Sequence, residues 1–345
     1  MQRIAIIGLG LIGGSLGLAL KKAVPGQVEI TGHDHDRRAI SQALKLQAID
    51  RGERNILESV RDVDLVVIAT PILAIRDVMK EIGSHLGPGC VVTDTGSTKA
   101  QIMAWAREFL PSTVDFVGGH PMAGKEVSGV EHADADLFQG ATYCICPSPQ
   151  ASQQAVESIR GLAQRIGAVP YFPDPAEHDS LVAAVSHLPI ILASALVSIA
   201  TTSQSWREMS RLASSGFKSS TRLASTDPSM SAGIFLTNRE ALEHWIDRFI
   251  NELEGYKELL KADEEELENG LARVREARER WLDGKETWDV DNRPEIPNVS
   301  QQLTGLFVGE RLARRTRDLL KLQLSRSDEM RRKRRDADEG EETRG

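Results

Sequence analysis

Two groups of residues in this chain could do chemistry. The first is a glycine set near the N-terminus. An apolar run, Ile4–Ile7, leads into Gly8, Gly10 and Gly13, and apolar residues at helical spacing follow at Leu16, Ala19 and Leu20. Between a strand and a helix, this spacing suits the phosphates of a dinucleotide. The first glycine permits the tight turn, the second lets a pyrophosphate reach the backbone, and the third lets helix and strand pack closely. The helix that begins through Leu11 and Ile12 offers free N–H groups and a partial positive charge to those phosphates. Asp34 stands 21 residues after Gly13, just past a second strand candidate, Val28–Thr31. A carboxylate there would accept hydrogen bonds from the adenosine ribose hydroxyls and repel a ribose phosphate, so NAD is expected over NADP. The alternative is a glycine-rich turn that holds no ligand.

The second group is polar. His120 lies in Gly118-Gly-His-Pro-Met-Ala-Gly124, a rigid loop open to close approach. Neutral imidazole is an acceptor that titrates near neutrality, which suits a general base; a plain surface-loop histidine is the alternative. Ser97, within Asp94-Thr-Gly-Ser-Thr-Lys99, could donate to the same substrate oxygen, or merely cap the next helix. Thr70 and Pro71 form a third polar turn. Arg222 ends the polar stretch Ser214–Arg222 and offers a planar fork for a carboxylate. His178 and His187 are nine residues apart, not quite on one helical face, which argues against a metal pair.

These residues need a frame. Strand candidates at Arg3–Ile7, Val28–Thr31, Leu65–Ala69, Cys90–Thr93, Asp115–Val117, Thr142–Ile145 and Pro170–Phe172 alternate with helical patterns such as Ile75–Leu86 and Lys99–Phe109. That alternation predicts an α/β, doubly wound, mostly parallel sheet. Ligands of such sheets bind beyond the carboxyl ends of the strands, so Thr70-Pro71, Asp94–Lys99 and Gly118–Gly124 should share one rim. Past Pro173-Asp174-Pro175 only helical periodicity remains, over 176–203, 207–214, 229–236, 238–261 and 263–282. The expected division is a dinucleotide-binding domain at 1–173, a helical domain at 174–283, and a linker, short helix and charged tail at 284–345. In that tail Arg331–Arg335 is basic but followed by acidic residues, which reads as a solvated end.

A net charge of −8 over 345 residues argues against nonspecific nucleic-acid binding. Three cysteines, Cys90, Cys144 and Cys146, suggest a reducing compartment and core positions, with no metal site. An N-terminus that runs straight into a strand suggests no signal peptide, hence a cytoplasmic protein. No charged residue lies between Asp179 and Arg207, a length that could span a bilayer. Its serines, threonines, His187 and Pro189 favour a helix buried in a shared core or dimer interface, and no membrane.

The motifs together resemble the prephenate/arogenate dehydrogenases of tyrosine biosynthesis. The resemblance rests on Gly8–Gly13, Asp94–Lys99, Gly118–Gly124, Glu177-His178-Asp179, Ser186-His-Leu-Pro189 and Ser214–Arg222, and covers roughly residues 1–260. It implies a Rossmann-type domain followed by an all-helical dimerisation domain. It also implies oxidative decarboxylation: NAD takes hydride from the ring carbon bearing the hydroxyl, carbon dioxide leaves, and the ring becomes aromatic. His120 would draw the hydroxyl proton, Ser97 would help hold that hydroxyl, and Arg222, Glu126 and His178 would serve the substrate, Glu126 by pairing with Arg222. Ile190 and Ser231 depart from residues that some members place against substrate, so arogenate stays open beside prephenate. A regulator that senses NAD without turnover is the more distant alternative.

Overall fold

The computed structural model of the chain describes residues 1–125 and 127–284. Glu126 and the linker and tail expected beyond residue 284 lie outside the described residues. Eight strands form one sheet: β1 (Gln2–Ile7), β2 (Val28–His33), β3 (Arg51–Glu53), β4 (Leu65–Ile68), β5 (Val91–Asp94), β6 (Asp115–Pro121), β7 (Thr142–Pro147) and β8 (Val169–Tyr171). Their order is β3-β2-β1-β4-β5-β6-β7-β8. Every pairing is parallel except that of β6 with β7. The chain order reverses between β1 and β4, the switch point where open sheets of this kind bind ligands.

Helices α1 (Leu11–Ala23), α2 (Arg37–Lys45), α3 (Ile56–Ser59), α4 (Ile72–Ile82), α5 (Ala100–Phe109) and α6 (Gln153–Arg165) connect the strands. Alternation along β1 sends Ile4 and Ile6 to one face of the sheet and Ala5 and Ile7 to the other, so the sheet divides two apolar layers. The first layer holds Leu16, Ile145 and Ile159; the second holds Ile75, Val92 and Ile102.

The rest is helical: α7 (Pro175–Val182), α8 (Leu188–Thr201), α9 (Trp206–Leu212), α10 (Ser215–Ser220), α11 (Pro228–Thr237), α12 (Arg239–Leu259) and α13 (Glu264–Leu282). Asp174 accepts hydrogen bonds from the Ala176 and Glu177 N–H groups and Pro175 fills the first turn, so α7 starts where the sequence turns helical. Between α7 and α8 the five residues Ala183–His187 form a wider, π-type turn. Ile190 of α8 and Ile234 of α11 enter the second apolar layer, seating these helices on the sheet domain. By its internal contacts the chain forms one unit to Lys257 and a second from Glu258. Within the second, Gly270 of α13 packs against Leu259.

The fold departs from the sequence expectation in several places; one is α10, a short helix inside the polar stretch Ser214–Arg222. β3 was not expected; its Arg-Gly-Glu has no apolar pattern and forms an edge strand. β6 runs four residues further than Val117, because the ladder to β7 continues through Gly118↔Cys146, Gly119↔Ile145, His120↔Cys144 and Pro121↔Tyr143. His120 therefore sits on a strand and not in a loop. The single helix expected over 176–203 is interrupted by the wider turn.

Candidate active site

The glycine turn is built as its spacing requires. Gly8 has φ +95°, and a Cβ there would meet the Ala69 carbonyl at 2.6 Å. A Cβ on Gly13 would meet the Gly8 carbonyl at 1.9 Å, so only glycine lets α1 start this close to β1. Gly10 differs: nothing lies within 4 Å of where its Cβ would be. It opens onto space, at a helix N-terminus, ahead of Leu11 and Ile12, that no side chain caps. The turn is tied to its neighbours by Gly8 N–H donating to His33 O at 2.9 Å and Ala69 N–H to Ile7 O at 2.7 Å.

Asp34 follows β2 directly. One carboxylate oxygen accepts the Leu9 N–H at 2.7 Å and the other the Asp36 N–H at 2.8 Å. Each oxygen keeps acceptor capacity beyond these bonds. Thr70, past β4, has a buried Oγ1 with no hydrogen-bond partner, and Pro71 caps α4. An open glycine, an uncapped helix N-terminus, a fixed carboxylate and an orphaned hydroxyl together fit a dinucleotide.

The second half of the site is assembled around a buried ion pair. Asp94 and Lys99 are both fully buried, and the Lys99 ammonium donates to Asp94 Oδ2. Asp94 also accepts the Gly96 N–H at 2.7 Å and the Gly119 N–H at 3.1 Å, while Lys99 donates to the Gly119 carbonyl. Gly119 is thus gripped at both backbone polar groups, which fixes the next residue, His120. Ser97 is half-buried in the turn between these partners.

His120 is 7% exposed. Its Nδ1 is 2.9 Å from His178 Nε2, and His178 Nδ1 is 2.8 Å from Asp179 Oδ1. Asp179 further accepts the Lys99 N–H at 2.7 Å and the Ala100 N–H at 2.9 Å, capping α5 from α7. Burial, then the charges of His178, Lys99 and His187, hold His120 well below the ordinary histidine pKa. His187, fully buried, is lowered to about 4, chiefly by burial. The Asn238 side-chain amide donates to the Asp179 main-chain carbonyl at 2.7 Å and lies 3.2 Å from His187 Nδ1.

Of the residues expected from sequence, the fold brings His120, His178 and the Ser97 turn together at the carboxyl ends of β5 and β6. His178, expected at the substrate, stands behind His120 with both ring nitrogens engaged. Arg222 heads the short 3-10 turn Arg222–Ser225 and is exposed. No role at the site was expected for Asp94, Lys99, Asp179, His187 or Asn238. Asp94, Lys99, Asp179 and His187 lie inside motifs singled out above; ionisable residues inside otherwise small or apolar motifs are the available signal.

A family model described as the prephenate dehydrogenase nucleotide-binding domain matches residues 16–172, and one described as the prephenate dehydrogenase dimerization domain matches 174–274. A prephenate dehydrogenase of Bacillus subtilis is 34% identical over 323 residues, 90% of this chain and 86% of its own. Among solved structures, Aquifex aeolicus prephenate dehydrogenase in complex with hydroxyphenyl propionate and NAD+ is 32% identical, with a TM-score of 0.75 over 81% of this chain and 98% of its own. Synechocystis arogenate dehydrogenase is 26% identical, with a TM-score of 0.70 over 81% and 100%.

Proposed function

Since the chain belongs to the prephenate dehydrogenase family, we propose that it catalyses the NAD-dependent oxidative decarboxylation of prephenate to 4-hydroxyphenylpyruvate. The observation that carries this reading is a dinucleotide cradle and a buried histidine, supported from behind, built on one sheet rim. The α1 N-terminus and Gly10 hold the pyrophosphate, Asp34 takes the ribose hydroxyls, and the Thr70 Oγ1 offers a further hydrogen bond. Bound NAD+ supplies the hydride acceptor. His120 draws the proton of the ring hydroxyl as hydride leaves its carbon, and returns a proton to the ring oxygen once the carboxylate has departed. Ser97 helps hold that hydroxyl. Arg222 takes a substrate carboxylate.

We assign 1–173 to cofactor binding and 174–283 to substrate and dimer formation. The three buried free thiols fit a reducing cytoplasm. Steady-state kcat/KM for prephenate and for arogenate, each with NAD and NADP, tests the reading. Prephenate with NAD should give the highest value, and Asp34→Ser should narrow the margin over NADP. Turnover of arogenate alone would transfer the assignment to that substrate. Turnover of neither would leave NAD binding without catalysis.

A further inference from the structure

The three side chains His120, His178 and Asp179 form an unbroken hydrogen-bonded line from the sheet rim into the helical part, with steps of 2.9 and 2.8 Å. We propose that Asp179 and His178 are positioning residues that fix the tautomer of His120 and act as a temporary store for the proton it removes.

The direction of the line follows from what each group can do. An ionised carboxylate only accepts, so the proton between His178 and Asp179 belongs to His178 Nδ1. In neutral His178 the other nitrogen, Nε2, is then an acceptor. Its partner, His120 Nδ1, must donate. The remaining nitrogen, His120 Nε2, is left bare. Among the described residues nothing hydrogen-bonds that atom, and it is not one of the buried atoms sealed without a partner. The network therefore delivers a lone pair, open to a ligand, on the one atom a base needs.

Asp179 is itself held too firmly to turn away. Its two oxygens accept the Lys99 and Ala100 N–H groups, and its main-chain carbonyl accepts from Asn238. That last bond also orients the Asn238 amide, so its Nδ2 donates toward His187 Nδ1 and leaves His187 protonated at Nε2. His178 and His187 are thereby set in opposite tautomers by the same aspartate.

The relay answers a difficulty in the chemistry. A buried histidine beside Lys99 and two other histidines resists becoming an imidazolium, and its pKa is lowered accordingly. A proton arriving at Nε2 need not stay there. His120 Nδ1 can pass its own proton to His178 Nε2, and the positive charge then rests on His178, against the Asp179 carboxylate. When the newly aromatic ring oxygen recovers a proton from His120 Nε2, the transfers run backwards. No proton is gained or lost over the cycle, and no redox partner beyond the nicotinamide is required. The other ionisable groups facing His120 do not take this role. Lys99 is committed to Asp94, Cys144 across the ladder has a thiol raised to about 11, and His187 is lowered to about 4.

The inference rests on the proposed dehydrogenase reading, and its test has one arm that needs no turnover. Imidazole 15N–1H correlation on histidine-labelled protein at neutral pH should show His120 protonated at Nδ1 and bare at Nε2. In Asp179→Asn that single tautomer should be lost. A wild-type His120 protonated at Nε2 would overturn the proposal whether or not prephenate is the substrate. In the kinetic arm, His178→Leu removes the acceptor and should lower kcat about a hundredfold or more with little change in KM for NAD. His178→Gln, whose carbonyl can still accept from His120 Nδ1, should recover at least about tenfold of that loss, since orientation survives while the proton store does not. Asp179→Asn should move the acid limb of kcat/KM to lower pH, because the counter-charge that favours the protonated line is gone. Equal losses in the Leu and Gln variants with an unmoved acid limb would reduce both residues to packing.

Discussion

At the scale of single residues, the site depends on keeping histidines neutral in the interior. His120→Asn keeps a polar side chain of similar reach but no base, and kcat should fall by about two to four orders of magnitude. KM for NAD should hardly move, since the glycine turn is untouched; near-normal turnover would take His120 out of the mechanism. The pH dependence has a definite sign. Both His120 and His187 bind protons less readily in the folded chain than at the ordinary value of 6.5. Below that value the unfolded chain holds more protons than the folded one. Their stabilising contribution is complete above about pH 6.5 and declines as the pH falls, by up to about 1.4 kcal/mol per pH unit for each histidine. For His187 the decline continues through about 4. Urea midpoints measured from neutral to mildly acid pH should therefore fall, and His187→Asn should flatten the slope. A midpoint independent of pH across that window would mean that both rings can charge without penalty. Activity should follow the same logic, with the acid limb of kcat/KM placed below 6.5.

At the scale of elements, the glycine turn separates folding from binding. Gly13→Ala drives a methyl into the Gly8 carbonyl, 1.9 Å away, so α1 must lift from β1. A loss of about 1–3 kcal/mol, the range for overpacking, is expected in thermal or chemical unfolding. Gly10→Ala meets no protein atom, and its stability should stay within about 0.5 kcal/mol. Its KM for NAD should rise, because the new methyl occupies the space open to the pyrophosphate. Similar melting curves for both variants would show that the turn relaxes around either methyl. This turn was legible in the sequence because its physics is local: strand, spaced glycines and helix follow within twenty residues. The rim loops were legible for the same reason. The length of β6 was not, since Gly118-Gly119 looks like a break until β7, more than twenty residues later, supplies hydrogen bonds. Nor was the line behind His120. At about 100° per residue, nine residues leave His178 and His187 half a turn apart. The wider turn at Ala183–His187 advances less per residue and carries His187 round toward Asn238 and Asp179. Nothing local in Ala-Ala-Val-Ser-His announces that turn; it accompanies a packing arrangement that includes residues 51 positions away.

At the scale of the whole molecule, the remaining question is what the outer side of the apolar helical stretch before Arg207 faces. Pro175–Thr201 is long and apolar enough to cross a bilayer, with a mean hydropathy of 2.1 over its most apolar window. Its inner side carries His178, Asp179 and His187 into the site and Ile190 into the apolar layer under the sheet. A helix so committed cannot also present all its sides to lipid, where buried charge is costly. Its outer side is nevertheless apolar: Val185 and Ile199 are each 74% exposed, and Leu181 and Leu196 are exposed as well. Large exposed apolar groups along one helix mark an interaction surface. The match of 174–274 to a dimerization domain points to a second copy as the occupant. Sedimentation should therefore show a dimer at micromolar concentration without detergent. Val185→Glu with Ile199→Glu should place like charges across a twofold interface and shift the population to monomer, while the fold of the sheet domain, read by NAD binding, persists. A wild-type chain that sediments as a stable monomer would refute the interface. One that requires detergent to stay in solution would instead return the outer face of this helix to the membrane.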